Sequence, residues 1–285
     1  MEQRLFTTRD FVASGRSRHE LYWLLTKQRI VALERGVFAS ADTALEPLDF
    51  AVARVMAAHE LATGLVGAAL YELDAVDASK IAVPARRRAV VIGEPVLIRG
   101  VLVASGLQII VEVAALLDDV KWEQALESGL RKELFDLDQL GALLPQLSGS
   151  RTHGAPRIRR VLALRPEHAP PTESLMETLM VQIARLAPGV PEPERQVEVS
   201  NRHGEFVARV DLAWSDLGAF NELDGQHHEG QPVYDASRET AVVRAKGWLC
   251  GRFTWRQIRY NPKVTARELS EFIAQAQARP LRRPV

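Results

Sequence analysis

The last third of the chain alternates short apolar runs with stretches of helical periodicity. The apolar, β-branched runs predict four strands, near residues 196–200, 205–213, 219–223 and 248–253. Helical spacing and capping residues predict three helices, one from Thr172 or Ser174 to about Leu186, one over 236–245 and one over 266–277. The predicted order is therefore a helix, three strands in a meander, a helix, a fourth strand and a closing helix.

Two short helical patterns stand near the start of the chain. Thr7 or Thr8 can cap a helix that ends near Ala13, since a hydroxyl oxygen accepts a hydrogen bond from the free backbone N–H groups. Ser17 can cap a second helix, and Glu20, three residues on, completes a capping box.

A hairpin pattern follows these helices. Residues 30–33 and 37–39 are apolar and are separated by a turn that contains Gly36. Helix, turn, helix and hairpin together predict a short winged helix, whose second helix would enter the major groove of DNA while the hairpin reaches phosphates. The predicted DNA contacts are Arg16, Ser17, Arg18, His19, Arg29 and Arg35.

Residues 46–165 predict an α+β connecting domain. The expected elements are a helix at 51–61, strands at 80–83 and 89–92, and helices at 107–117, 122–130 and 137–144. Arg86-Arg87-Arg88 is expected in a solvated loop, and the prolines between 165 and 171 predict a linker. The predicted domains are a winged helix over 1–45, the connecting domain over 46–165 and a third domain over 172–280.

Composition adds limits to this organisation. The chain has 285 residues, of which 47% are hydrophobic and 25% charged, as in ordinary soluble globular proteins. The formal net charge is zero, so nucleic-acid binding would depend on local patches. Basic residues cluster in the N-terminal arm and between Arg238 and Arg259, where Glu239 is the only acid of the basic run; solvated faces would explain either cluster alone.

Cysteine usage and hydropathy indicate a compartment. Cys250 is the single cysteine and lies in an apolar run, which predicts a buried, inert thiol and excludes a disulfide within the chain. No apolar run has membrane-spanning length, and the N-terminus lacks the apolar core of a signal peptide. We therefore expect a cytoplasmic protein with no membrane partner.

The candidate chemistry lies where two predicted neighbouring strands end in acids. If the strands pair, Asp211 and Glu222 converge, and a divalent cation would offset their repulsion. Asp224 shares the face of Glu222, because residues two apart in a strand point the same way. These oxygens suit Mg²⁺ or Mn²⁺, which can polarise a phosphate and activate a water. His227, beside His228, is a candidate general base, and Glu177 a further carboxylate.

Each of these features also has a simpler explanation. Acids at strand ends are common, a surface His-His pair is usually part of a loop, and Glu177 alone is typical of a solvated helix position. Only their combination favours hydrolysis of phosphate esters.

Several blocks of the C-terminal region, in order, resemble a known nuclease module. They are Glu173-Ser174-Leu175-Met176-Glu177, Gly189-Val190-Pro191-Glu192-Pro193, Arg209-Val210-Asp211-Leu212-Ala213-Trp214, Glu222-Leu223-Asp224-Gly225 with His227-His228, and Gly247-Trp248 followed by Arg252-Phe253-Thr254-Trp255. Together, over about residues 172–260, they resemble the very-short-patch-repair-like endonuclease domains of the PD-(D/E)XK fold, of actinobacterial type.

The N-terminal blocks resemble a second family. Phe6-Thr7-Thr8-Arg9-Asp10 and the run Ile30-Val31-Ala32-Leu33-Glu34-Arg35-Gly36-Val37-Phe38 are similar to the winged helix of AbiEi-family antitoxins. Residues 46–165 resemble, more weakly, the region found between these two parts in such chains. This resemblance implies double-stranded DNA as a partner, together with a cognate toxin or another defence-system partner.

The nuclease resemblance implies a fold and a set of roles. The fold would be α/β, with a restriction-endonuclease-like α/β/α core; Asp211 and Glu222 would be metal ligands, and Glu177 would support them. The chain departs from the wider superfamily at two positions. Asp224 stands where the wider superfamily has its signature lysine, which the very-short-patch-like enzymes also lack. Asn221 stands where an apolar residue is expected.

Three functions remain open at this point. The residues favour a metal-dependent DNA endonuclease or nickase that a winged helix targets to DNA. The alternative is an antitoxin-type transcriptional repressor in which an inactive nuclease fold binds DNA or protein. A third hypothesis is an interaction scaffold of a defence system, with no role on DNA.

Overall fold

The structure is a computed structural model, and it describes residues 4–81, 92–149, 154–224 and 232–279. It is a mixed α/β protein, with twelve α-helices and three small sheets in the described residues. Contacts divide the chain into two compact units, Met1–Leu164 and Arg165–Val285. None of the helices in the described ranges is long and apolar enough to cross a membrane.

The first unit opens with a small antiparallel sheet and two helices. Its elements are β1 (Leu5–Thr7), α1 (Thr8–Ala13), α2 (Arg18–Thr26), β2 (Ile30–Glu34) and β3 (Val37–Ser40). The strand order is β1-β3-β2, so β1 adds a strand to the predicted hairpin. The sequence pattern missed β1 because a run of three residues is too short to show a period.

Both predicted helix caps are present. Thr7 accepts a hydrogen bond from the Asp10 backbone N–H, and the Asp10 carboxylate accepts one from the Thr7 backbone at 2.8 Å. The Ser17 hydroxyl accepts a hydrogen bond from the Glu20 backbone N–H at 3.1 Å. The Glu20 carboxylate was expected to close a capping box, but it accepts hydrogen bonds from Arg16, because that guanidinium lies one helical turn away.

The rest of the first unit is mainly helical. Its elements are α3 (Pro47–Ala58), α4 (Gly64–Leu70), β4 (Val96–Ile98), β5 (Val101–Val103), α5 (Gly106–Val113), α6 (Asp119–Arg131), α7 (Leu137–Gly149) and α8 (Ala155–Leu162). The strand predicted from Lys80 is wrong at its start, because the Asp77 carboxylate caps a 3-10 turn over Ala78–Lys80. Most of the two predicted strands, and Arg86-Arg87-Arg88, lie outside the described residues.

Three hydrophobic clusters organise the described part of this unit, and the smallest packs α1 and α2 on the N-terminal sheet. Leu5, Val37 and Ala39 pack in one cluster with α3, α4 and β5, so the N-terminal sheet shares its core with the segment that follows. The second cluster surrounds Trp122 and joins α5 to α8; the Trp122 indole donates a hydrogen bond to the Ile110 carbonyl at 2.9 Å. The three-domain organisation drawn from the sequence stays a prediction.

The second unit has the predicted order of elements plus one additional helix. Its elements are α9 (Leu175–Leu186), β6 (Glu194–Ser200), β7 (Phe206–Trp214), β8 (Ala219–Asp224), α10 (Pro232–Lys246), β9 (Leu249–Thr254), α11 (Trp255–Tyr260) and α12 (Pro262–Gln277). The additional helix is α11, which begins with a capping box between Thr254 and Gln257.

The four strands form one mixed sheet in the order β6-β7-β8-β9. The first three strands are antiparallel, and β9 runs parallel to β8 because α10 carries the chain back across the sheet. One face packs on α9, α11 and α12 around Met180, Leu212 and Leu269. The other face packs on Val242 of α10, through Val210 and Phe220. The sheet therefore lies between two layers of helices.

Candidate functional site

The two acids of β8 lie on the α10 face of the sheet. Phe220 packs in the cluster that contains Val242 of α10, whereas Ala219 and Leu223 pack in the opposite cluster. Because side chains alternate along a strand, Glu222 and Asp224 share the face of Phe220. Glu222 is 4% exposed and Asp224 is half-buried, so one carboxylate is inside the fold and the other lies near its surface.

Asp211 lies on the neighbouring strand β7, one residue beyond the last pair that β7 forms with β8. The register of β7 and β8 runs from Trp214 opposite Ala219 to Leu212 opposite Asn221. Asp211 and Glu222 are the next residues along the two strands, one step beyond the last paired residues. The convergence of their carboxylates stays a prediction. Asp211 is half-buried.

The alternation of β7 changes at Asp211. Val210 and Ala213 pack in the cluster on the α10 side, whereas Leu212 packs in the opposite cluster, although residues 210 and 212 of a regular strand share a face. The residue of β6 opposite Asp211 is Gln196, which has a left-handed φ of 53°. This irregularity explains why the polar and apolar pattern of β7 did not settle which face is buried.

Glu177 has contacts that give it a structural role. It is buried in the first turn of α9 and accepts hydrogen bonds from the Ser174 hydroxyl and the Glu173 backbone, both at 2.9 Å. Gln196 of β6 donates a further hydrogen bond to it, at 2.7 Å. Glu177 therefore caps α9 and reaches the strand position opposite Asp211. Gln196 could not be predicted from the sequence, because a lone glutamine in a strand is not typical of any site.

The structure brings Arg252 and Glu239 to the same face, although neither residue was predicted from the sequence to belong to the site. Arg252 of β9 pairs in register with Glu222. Its Nε and Nη2 donate to Oε2 of Glu239, on α10, at 3.0 and 2.7 Å. Its Nη1 lies 3.6 Å from Oδ1 of Asp224. The one feature of the sequence that could have indicated this pair is the position of Glu239 as a single acid within a basic run.

Cys250 lies beside this group and is not a nucleophile. Burial, followed by the negative charges of Glu239 and Glu222, raises the pKa of its thiol to about 12, against a smaller opposing effect of the Arg252 guanidinium. The thiol therefore stays protonated near neutral pH, as the sequence predicted for an inert cysteine.

The metal assignment stays a prediction. Oxygen atoms of Asp211, Glu222 and Asp224 are the donors that a hard divalent cation prefers, so their chemistry fits Mg²⁺ or Mn²⁺. Within the ranges that the structure describes, no group of three or more His, Cys, Asp or Glu side chains is arranged to hold a metal ion. His227, the predicted general base, and His228 lie outside those ranges.

The predicted DNA contacts of the first unit are exposed, but they are not equivalent. Arg16 donates to Oε1 of Glu20 at 3.0 and 2.7 Å, and its guanidinium lies 4.3 Å from the centre of the Phe11 ring. The Ser17 hydroxyl is used as a helix cap. The remaining four side chains extend into solvent; they are Arg18, His19, Arg29 and Arg35.

Two aromatic residues on α2 were missed. Tyr22 is 70% exposed and Trp23 is 53% exposed, although large aromatic side chains are usually buried. Arg18 and Tyr22 lie four residues apart, as do His19 and Trp23, so the basic and aromatic side chains are neighbours on one helix surface. The periodicity of Leu21, Leu24 and Leu25 indicated only the buried face.

Comparison of the chain with protein-family models, with curated proteins and with solved structures found no match. The family resemblances drawn from its motifs therefore remain predictions.

Proposed function

We propose that the second unit is a metal-dependent nuclease domain that hydrolyses DNA phosphodiester bonds. The observation that carries this proposal is the position of two carboxylates on one face of β8, with a third acid beside the paired end of the adjacent strand. Glu222 and Asp224 lie on the same face of β8, and Asp211 follows the last paired residue of the adjacent strand. The alternation of β7 between the two faces of the sheet changes at Asp211.

The burial of Glu222 supports the same function. A carboxylate that is 4% exposed is costly to hold in its charged form unless a cation or hydrogen-bond donors offset the lost hydration. Asp211 and Glu222 are the proposed ligands, and Asp224 is close enough in sequence and on the correct face to assist them. A bound divalent cation would polarise the phosphate and lower the pKa of an attacking water.

The order of elements also favours a nuclease. One helix, three antiparallel strands, a crossover helix and a parallel strand are the arrangement that the resemblance to the PD-(D/E)XK fold leads us to expect. In the hydrolysis, the water oxygen forms a bond to phosphorus, the ester P–O bond breaks, and one proton passes from the water to the leaving oxygen. His227 stays our candidate for taking the proton from the water.

Cleavage of a supercoiled plasmid in Mg²⁺ or Mn²⁺ tests this function. We expect wild-type protein to nick or linearise the plasmid, and Asp211→Asn or Glu222→Gln to lower the rate by at least about 100-fold, because the metal contributes several kcal/mol to catalysis. Asp216→Asn is the matched control, since Asp216 is an exposed acid just beyond β7. Equal cleavage by Asp211→Asn and Asp216→Asn would rule out the proposed site.

A repressor of antitoxin type is the second candidate function. The exposed surface of α2 favours it, because Arg18 and His19 lie beside Tyr22 and Trp23 there. Basic side chains and the tyrosine hydroxyl can donate to phosphates, and an aromatic ring can contact a thymine methyl group in the major groove, so this surface has the chemistry of a contact with duplex DNA. A cognate toxin would be a further partner under this hypothesis.

Binding to the DNA upstream of its own gene distinguishes this candidate. We expect affinity to fall steeply as salt rises, and Arg18→Ala to weaken binding and reduce the salt slope by about one. Arg16→Ala should have a smaller effect, because Glu20 and Phe11 already hold that guanidinium. If Arg18→Ala leaves affinity and slope unchanged, α2 is not the contact; absence of any binding at low salt would instead favour the interaction scaffold.

A further inference from the structure

We infer that Arg252 contacts the phosphate at the proposed nuclease site and supplies the positive side-chain charge there. This inference rests on the proposed function. Its starting point is the register of the parallel strands, which places Arg252 of β9 directly beside Glu222 of β8. Arg252, Glu222 and Asp224 therefore belong to the same face and the same end of the sheet.

The charge of the site requires a cation in addition to any metal. Asp211, Glu222 and Asp224 are acids, and a phosphodiester that approaches them is itself an anion. Negative charges that lie near one another repel more strongly where burial lowers the local dielectric constant. The guanidinium of Arg252 offsets this repulsion, and arginine is suited to the task because its planar donors match the oxygens of a phosphate.

Two carboxylates hold the guanidinium in place. Oε2 of Glu239 accepts hydrogen bonds from Nε and Nη2 of Arg252 at 3.0 and 2.7 Å. Oδ1 of Asp224 lies 3.6 Å from Nη1, an ion pair longer than a hydrogen bond. Glu239 thus fixes one side of the guanidinium. Asp224 lies on the side where the positive charge of Arg252 would act on a phosphate.

The remaining donors are available to a ligand. A guanidinium has five N–H groups, and Glu239 accepts from two nitrogen atoms on one side of it. The Arg252 side chain is 41% exposed, so its other side can be approached from solvent. A phosphate there would accept hydrogen bonds through its non-bridging oxygens, with no proton transferred to or from Arg252.

This assignment gives Asp224 and Glu239 separate roles. Glu239 is a positioning residue, since it acts on the phosphate only through Arg252. Asp224 lies 3.6 Å from the guanidinium, two residues beyond Glu222, and it occupies the position where a lysine could itself have supplied the charge. The positive charge is therefore provided by Arg252 on the neighbouring strand. The sequence immediately around Glu222 does not show this residue.

Substitution of Arg252 in the full-length protein tests the inference. The variants are Arg252→Gln, Arg252→Lys, Glu239→Gln and the double variant Arg252→Gln with Asp224→Lys. Arg267→Gln is the matched control, because Arg267 is an exposed arginine of α12. Plasmid cleavage is measured under single-turnover conditions in Mn²⁺, and the affinity for a DNA duplex is measured in Ca²⁺. Thermal melting checks that each variant is folded.

We expect Arg252→Gln to lower the single-turnover rate by about 100-fold, which is typical for loss of one charged contact to a transition state. Arg252→Lys should lose less, about tenfold, because it keeps the charge but not the two-pronged geometry. Asp224→Lys should restore at least about tenfold of the rate lost by Arg252→Gln, since one cation then stands again beside Glu222. Arg267→Gln should cleave like the wild type.

Three outcomes would overturn the inference. If Arg252→Gln cleaves as fast as a cleaving wild type, the inference fails and the proposed function stands. If wild-type protein does not cleave DNA, both fail together. If Arg252→Gln and Glu239→Gln lower the melting temperature and the rate equally, and Asp224→Lys restores nothing, Arg252 is a structural ion-pair partner and not a phosphate contact.

Discussion

At the scale of single residues, the position before Glu222 is unusual. Asn221 is fully buried, and within the described part of the chain neither polar atom of its side chain makes a hydrogen bond. It lies over Gly251 of β9, where an added Cβ would stand 2.7 Å from Oδ1 of Asn221. A buried amide without partners usually costs stability, so residues of this kind are retained where they serve a function.

Asn221→Val should increase the free energy of unfolding by about 1 kcal/mol, because it removes two buried polar atoms without lengthening the side chain towards Gly251. Urea denaturation measures the change. Asn201→Val is the control: its side chain accepts hydrogen bonds from the backbone of His203 and Glu205 and donates one to the Glu205 carboxylate. The control should lose stability, and a loss at Asn221 as well would show that its amide is satisfied.

At the scale of helices and strands, local features were predictable and long-range features were not. Thr7, Ser17 and Ser174 each cap a backbone N–H group three residues further along the chain. The sequence therefore predicted those helix caps. The pairing of β8 with β9 joins residues separated by a whole helix. For that reason Arg252 could not be assigned to the site from its sequence neighbours.

An ion-paired acid connects two helices of the first unit. Asp119, at the start of α6, accepts hydrogen bonds from Arg160 at 2.7 Å and from Arg157 at 2.8 Å, both on α8. Hydrogen bonds from Arg160 and then Arg157 lower the pKa of the Asp119 carboxyl from 3.8 to about 2. A depressed pKa means that this contribution to stability is present above pH 3.8 and is lost as the pH falls towards 2.

Asp119→Asn should therefore reduce the pH dependence of unfolding between pH 4 and pH 2. The difference from wild type should be below about 1 kcal/mol, because the Asp119 side chain is 41% exposed and solvent screens the pair. Denaturation at a series of pH values measures it. Identical pH profiles for the two proteins would show that these arginines do not stabilise the folded state.

At the scale of the whole molecule, the mixed α/β class and the order of C-terminal elements followed from periodicity. The site could be predicted only in part. Asp211, Glu222 and Asp224 stood out as acids at strand ends, but Gln196, Glu239 and Arg252 depend on register and on a crossover. The exposure of Tyr22 and Trp23 was also hidden, since a helical pattern shows which positions are apolar and not which are buried.

A manganese titration followed by thermal melting tests the central claim most directly, because a ligand that binds the folded state raises its melting temperature. The account predicts a rise for wild type and for Asp216→Asn that saturates with Mn²⁺, and no such rise for Asp211→Asn or Glu222→Gln. The same rise in all four proteins would contradict a metal site formed by Asp211 and Glu222.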